Sequence, residues 1–118
     1  MTNISLANRK CIPCEGGIPP LNKAEINNYM KLINKDWILL EDNRIRKSFA
    51  FVNYRHTIDF VNKVADLAEA EGHHPLMHVH YGKTEIELWT FAINGLSEND
   101  FILASKIDNI DTFAESVR

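Results

Sequence analysis

Apolar residues change their spacing repeatedly along this chain, and each change marks an element. From Leu21 onward, Leu21, Ile26, Tyr29, Met30 and Ile33 share a helical face, with Asn22 placed to cap it. Residues 37–40 read as a short strand, Glu41-Asp42-Asn43 as a turn, and residues 44–51 as the second arm of a hairpin with Ile45, Phe49 and Phe51 on one face. Residues 53–71 give the clearest helix: Ile58, Phe60, Val61, Val64, Ala65, Leu67 and Ala68 fill one half of the wheel, and Asp59, Asn62, Lys63, Asp66 and Glu69 the other. A second hairpin follows, residues 76–81 and 84–91 around Gly82-Lys83. Ser97-Glu98-Asn99-Asp100 has the form of a capping box and opens a last helix through Phe101, Leu103, Ala104, Ile107, Ile110 and Ala114.

The order helix, hairpin, helix, hairpin, helix predicts an α+β fold. Two hairpins make a four-stranded antiparallel sheet, and three amphipathic helices cover one face of it as a two-layer sandwich. A chain of 118 residues is expected to form a single domain, 1–118, with 1–20 as an N-terminal loop segment. Thirteen basic against sixteen acidic residues leave no broad field for phosphates, so direct nucleic-acid binding is not expected. Short, interrupted apolar runs predict no membrane span, and Met1 to Lys10 lack the apolar stretch of a signal peptide, which makes a cytoplasmic protein the expectation.

Candidate chemistry concentrates at Glu69-Ala70-Glu71-Gly72-His73-His74-Pro75. Imidazole exchanges protons near neutrality, and adjacent side chains converge on one ligand only from a turn, which Gly72 and Pro75 bracket. Glu69 lies beside the apolar border of its helix, where a carboxylate can look toward a partly buried site. A turn at Gly82-Lys83 predicts the pairs Val79–Ile86 and Met77–Leu88 on the core face, with His80–Glu85 and His78–Glu87 on the other. The same register carries Trp89 and Phe91 toward His74.

Two other readings are weaker. His78-x-His80 with Glu85 offers a divalent-ion alternative of the cupin type, but cupins are jelly rolls of strands and this chain opens and closes with helices. Cys11-Ile12-Pro13-Cys14 lacks both the further ligands of a zinc site and the strand-to-helix context of a dithiol redox site, so reduced loop thiols are expected.

Taken together, Glu69-x3-His73-His74-Pro75, the aromatic Tyr81, the Gly95-to-Asp100 run and the Cys11-to-Leu21 segment resemble the pterin-4a-carbinolamine dehydratases. The resemblance implies dehydration of 4a-hydroxytetrahydropterin to quinonoid dihydropterin in tetrahydropterin recycling, without metal or other cofactor. It assigns His73 as the main acid-base group and His74 to binding and orienting the pterin while sharing proton transfer. Glu69 would fix an imidazole tautomer or meet the pterin's donor edge, and Trp89, Thr90 and Phe91 would line the ring site. One position departs: where the family usually has a third histidine, this chain has Phe91. That departure sustains an alternative, a non-catalytic pterin-binding or protein-assembly member of the family. The family also implies a homodimer or homotetramer.

Overall fold

In the computed structural model, residues 5–12, 18–41 and 43–110 are described. Cys14, Asp42 and Ala114 lie outside them. A short 3-10 turn, Leu6–Asn8, stands within the segment expected as loop. Helix α1 spans Lys23–Met30; Asn22 caps it by accepting from the Glu25 N–H at 2.9 Å, and the Glu25 carboxylate returns a bond to the Asn22 N–H. Strands β1, Ile38–Leu40, and β2, Arg44–Ala50, form the first hairpin. Helix α2 spans Tyr54–Glu71 behind its Asn53 cap. The second hairpin pairs β3, Leu76–Val79, with β4, Lys83–Leu88. Helix α3, Glu98–Asp108, follows a 3-10 turn at Phe91–Ile93.

All pairings in the sheet are antiparallel and the strand order is β1-β2-β4-β3, so β2 and β4 join the hairpins at the centre. Alternation along these strands sends Ile45, Phe49, Ile86 and Leu88 to the helices, as the periodicity requires. The expected α+β architecture, three helices with a four-stranded antiparallel sheet, is the architecture found.

One register differs from expectation. Val79 faces Thr84 and Met77 faces Ile86, two residues away from the pairs that a Gly82-Lys83 turn requires. The chain instead turns at Tyr81-Gly82, with the His80 N–H donating to the Lys83 carbonyl at 2.8 Å. A shift of two residues keeps every side chain on its face, so His78 and His80 still share a face with Glu85 and Glu87. Strand β4 also stops at Leu88, and Trp89, Thr90 and Phe91 belong to the turn that follows.

Helix α3 is buried around its circumference, Phe101, Ile102, Leu103, Ala104 and Ile107 all lying in the core. Its approach is fixed at Gly95, where a Cβ would come within 2.6 Å of the Pro20 Cβ. The Leu21 N–H donates to the Leu96 carbonyl beside it, at 2.8 Å. Among the described residues no helix is long and apolar enough to cross a membrane.

Candidate active site

Helix α2 ends on Gly72, whose φ of 67° is left-handed and suits a residue without Cβ. The reversal there, followed by Pro75 holding His74 away from helical geometry, turns the two imidazoles apart. His73 reaches the start of α3, its Nε2 lying 2.6 Å from Asp100 Oδ1. His74 reaches back to the last turns of α2, its Nε2 lying 2.6 Å from Glu69 Oε2.

Equal distances conceal unequal surroundings. The His73 side chain is 12% exposed and that of Asp100 0%, whereas His74 and Glu69 are 60% and 77% exposed. Asp100 is also held from the other side: its Oδ2 accepts from the Ser97 N–H at 3.0 Å and from the Thr90 hydroxyl at 2.8 Å. Because that hydroxyl donates to the carboxylate, the 2.7 Å contact between Thr90 and Ser97 has Ser97 donating to Thr90. An ionised carboxylate only accepts, so in both pairs Nε2 carries the hydrogen, and in the neutral ring Nδ1 is then the nitrogen with the lone pair.

His73, His74, Trp89, Thr90 and Phe91 line a single pocket of about 340 Å³, joined by Asn99 and Ile12. Each expected residue has a distinct place. Trp89 stands under the Arg44 guanidinium, 4.4 Å from its ring centroid, and Arg44 is tied to Glu87 at 3.0 Å. Thr90 is buried and its hydroxyl is committed to Asp100, so it reaches the pocket without a free donor. Phe91 is 86% exposed at the mouth. Glu69 does not line the pocket; it stands behind His74. Tyr81 is elsewhere, exposed in the hairpin turn and stacked on Tyr54.

Asp100 was legible only as a helix cap. Its cap bond to the Ser97 N–H is present, yet the same carboxylate orients His73, and a capping pattern carries no sign of that second partner. Asn99 and Ile12 stand in runs that carry the family resemblance, but no pattern there assigned either of them to the pocket. On the open face of the sheet, His78 Nε2 lies 3.1 Å from Glu87 and His80 Nε2 3.6 Å from Glu85. Glu87 is pushed up by burial but held lower overall by hydrogen bonds from Arg44, Arg46 and His78. Among the described residues no three His, Cys, Asp or Glu side chains gather as a metal cluster.

The fold is a two-layer α+β domain with a two-histidine pocket where α2, the β4 exit and α3 meet. Residues 19–110 match the family model described as pterin 4 alpha carbinolamine dehydratase. A protein of Nitrosomonas eutropha with a provisional pterin-4-alpha-carbinolamine dehydratase name is 54% identical over 109 residues, 92% of this chain and 96% of its own. The crystal structure of a transcriptional coactivator/pterin dehydratase from Brucella melitensis is similar at a TM-score of 0.70 and 27% identity, over 75% of this chain and 95% of that one. A pterin dehydratase-like protein identified as a RuBisCO assembly factor in the alpha-carboxysome is similar at a TM-score of 0.54 and 25% identity, over 62% of this chain and 86% of its own. This chain belongs to the pterin-4-alpha-carbinolamine dehydratase family.

Proposed function

We propose that the pocket dehydrates 4a-hydroxytetrahydropterin by histidine acid-base catalysis, as a step of tetrahydropterin recycling. In that reaction a proton passes to the 4a-hydroxyl oxygen, the C4a–O bond breaks, N5 loses its proton and a C4a=N5 double bond forms. The products are quinonoid dihydropterin and water, and side chains suffice for the transfers.

The observation that carries this reading is His73 in the pocket wall with Asp100 behind it, the carboxylate fully buried and bonded on both oxygens. A carboxylate at Nε2 holds the ring in one tautomer, aims Nδ1, and faces the positive charge the ring acquires on taking a proton. His73 is therefore the principal proton-transfer group. His74, more exposed and braced by Glu69, orients the pterin and shares the transfer. Glu69 is a positioning residue, since it touches His74 and not the pocket. Trp89 and Phe91 provide apolar surface for the ring, and Thr90 acts through Asp100.

Phe91 favours a second reading, a member that binds pterin or assembles another protein without catalysis. A phenylalanine exchanges no protons, and an 86% exposed aromatic suits contact with a macromolecule as well as with a ring. Stopped-flow dehydration of freshly generated 4a-hydroxytetrahydropterin separates the two. Turnover faster than the uncatalysed reaction supports the enzyme, and tight pterin binding with no acceleration supports the assembly factor.

A homodimer or homotetramer is part of the same proposal. Ile58, Val61 and Ala65 form an apolar flank of α2 that is only half-buried, while β1 and β3 each leave an outer edge unpaired among the described residues.

A further inference from the structure

Ile12 and Phe91 are two of the most exposed large hydrophobic side chains of the described residues, at 68% and 86%, and both line the same pocket. They arrive from opposite ends of the sequence. The pocket's other walls mix polar His73, His74 and Asn99 with apolar Trp89 and Ala92. Exposed apolar groups at the mouth of such a pocket gain most when a flat ligand covers them.

The backbone beneath Ile12 is held with unusual care for a segment outside any helix or strand. The Asn99 side chain pairs with it as a neighbouring strand would: the Ile12 N–H donates to Asn99 Oδ1 at 3.0 Å, and Asn99 Nδ2 donates to the Ile12 carbonyl at 2.6 Å. The preceding Cys11 N–H donates to Glu71 Oε1 at 2.9 Å. Glu71 is pushed up by burial yet held lower overall by that N–H and by Lys106, so it stays an anionic acceptor. Cys11 itself is buried, its thiol 3.6 Å from the Asn99 carbonyl, and burial first and Glu71 second push the thiol up to about 12. Asn99 adjoins Asp100 in the first turn of α3, so one helix end fixes both His73 and this strap.

We propose that Ile12 is a substrate-binding residue of the pocket, contacting with Phe91 the ring system of the bound pterin rather than its C6 side chain. This rests on the dehydratase reading of the same pocket. The strap serves to hold Ile12 in place before the ligand arrives, which spares the cost of ordering it on binding. A contact made equally in ground and transition states lowers KM and leaves kcat alone.

The test uses the full chain and two fluorescent probes, 6-methylpterin with a minimal C6 substituent and biopterin with a longer one, alongside stopped-flow turnover. Ile12→Ala should weaken both probes by the same factor, about 5- to 20-fold for partial loss of a branched side chain's buried surface, raising KM with kcat unchanged. The side chain is exposed, so its truncation leaves the fold intact. In a Cys14→Ser background, Asn99→Ala should lose affinity similarly and make Cys11 react rapidly with a thiol reagent, whereas Asn99-intact protein reacts slowly. Unchanged affinity for both probes in Ile12→Ala overturns the proposal, and weakening of biopterin alone overturns the ring contact. If the unaltered protein binds neither probe and accelerates no dehydration, the dehydratase reading fails and this proposal with it; failure of Ile12→Ala alone leaves that reading standing.

Discussion

His73 with Asp100 and His74 with Glu69 are both imidazole–carboxylate pairs at the same 2.6 Å, built from neighbouring histidines of one turn, and they differ in burial and in whether the carboxylate is held by other groups. Asp100 is withdrawn from water and bonded on both oxygens, so it cannot turn without breaking several bonds, nor His73 without giving up its bond to that held carboxylate. Glu69 and His74 face solvent, where the water that screens their attraction also competes for each partner; such exposed pairs contribute about 0–1 kcal/mol. Distance therefore does not rank the two imidazoles. What ranks them is whether the partner is itself held, and only α3 holds one.

That difference can be broken at either end. Replacing His73 by alanine should have the largest effect, lowering kcat by about 10²- to 10⁴-fold with a smaller change in pterin affinity, measured by single-turnover stopped flow and fluorescence titration. Equal, wild-type rates in His73→Ala and His74→Ala would remove both assignments. His74→Ala should chiefly weaken binding, with KM rising about tenfold and kcat falling less. Phe91→His sharpens the comparison by adding an imidazole at the mouth with no carboxylate prepared for it. With the two 4a-hydroxyl isomers assayed separately, turnover of the slower isomer should rise by a few-fold, about 1 kcal/mol or less in the barrier, and the oligomeric state should not change. No gain for either isomer would place residue 91 away from the reacting atoms.

Glu87 offers the smallest test, a buried carboxylate whose histidine partner is exposed. Arg44, Arg46 and His78 keep it ionised below the ordinary value of 4.5 despite burial. A carboxylate lowered on folding stabilises the protein above its unfolded value, and that stabilisation is lost as pH falls through the lower folded value. Chemical denaturation should show stability falling as pH drops below about 4.5, and Glu87→Gln should flatten that dependence. An unchanged slope would show that other carboxylates dominate.

The histidine turn was legible because breakers and chemistry coincide there: Gly72 and Pro75 force irregular backbone where the residues able to exchange protons stand. The helices were legible from the caps at Asn22 and Ser97 and from the apolar periodicity of residues 53–71, and the sheet from alternation. Hairpin register was not, since Tyr81-Gly82 and Gly82-Lys83 offer comparable turns and a shift of two residues leaves the apolar pattern unaltered. Trp89 to Phe91 read as strand because alternation cannot announce a 3-10 turn of apolar residues. The deepest omission was Asp100. Its local role as a cap is complete within four residues, so nothing in the sequence signals a partner twenty-seven residues away. The Asn99 bonds to Ile12 are hidden for the same reason, since an amide bonding to backbone leaves no pattern in side-chain types.

Single-turnover dehydration by Asp100→Asn and Glu69→Gln, measured side by side, bears on the difference between the pairs most directly. Each substitution removes one carboxylate charge 2.6 Å from an imidazole and retains its volume. If the held partner is what makes an imidazole effective, Asp100→Asn should slow the chemical step by about 10- to 100-fold and cost about 1–3 kcal/mol of stability. Glu69→Gln should stay within about threefold of wild type, as an exposed pair allows. Equal slowing by the two, or a larger effect from Glu69→Gln, would contradict it.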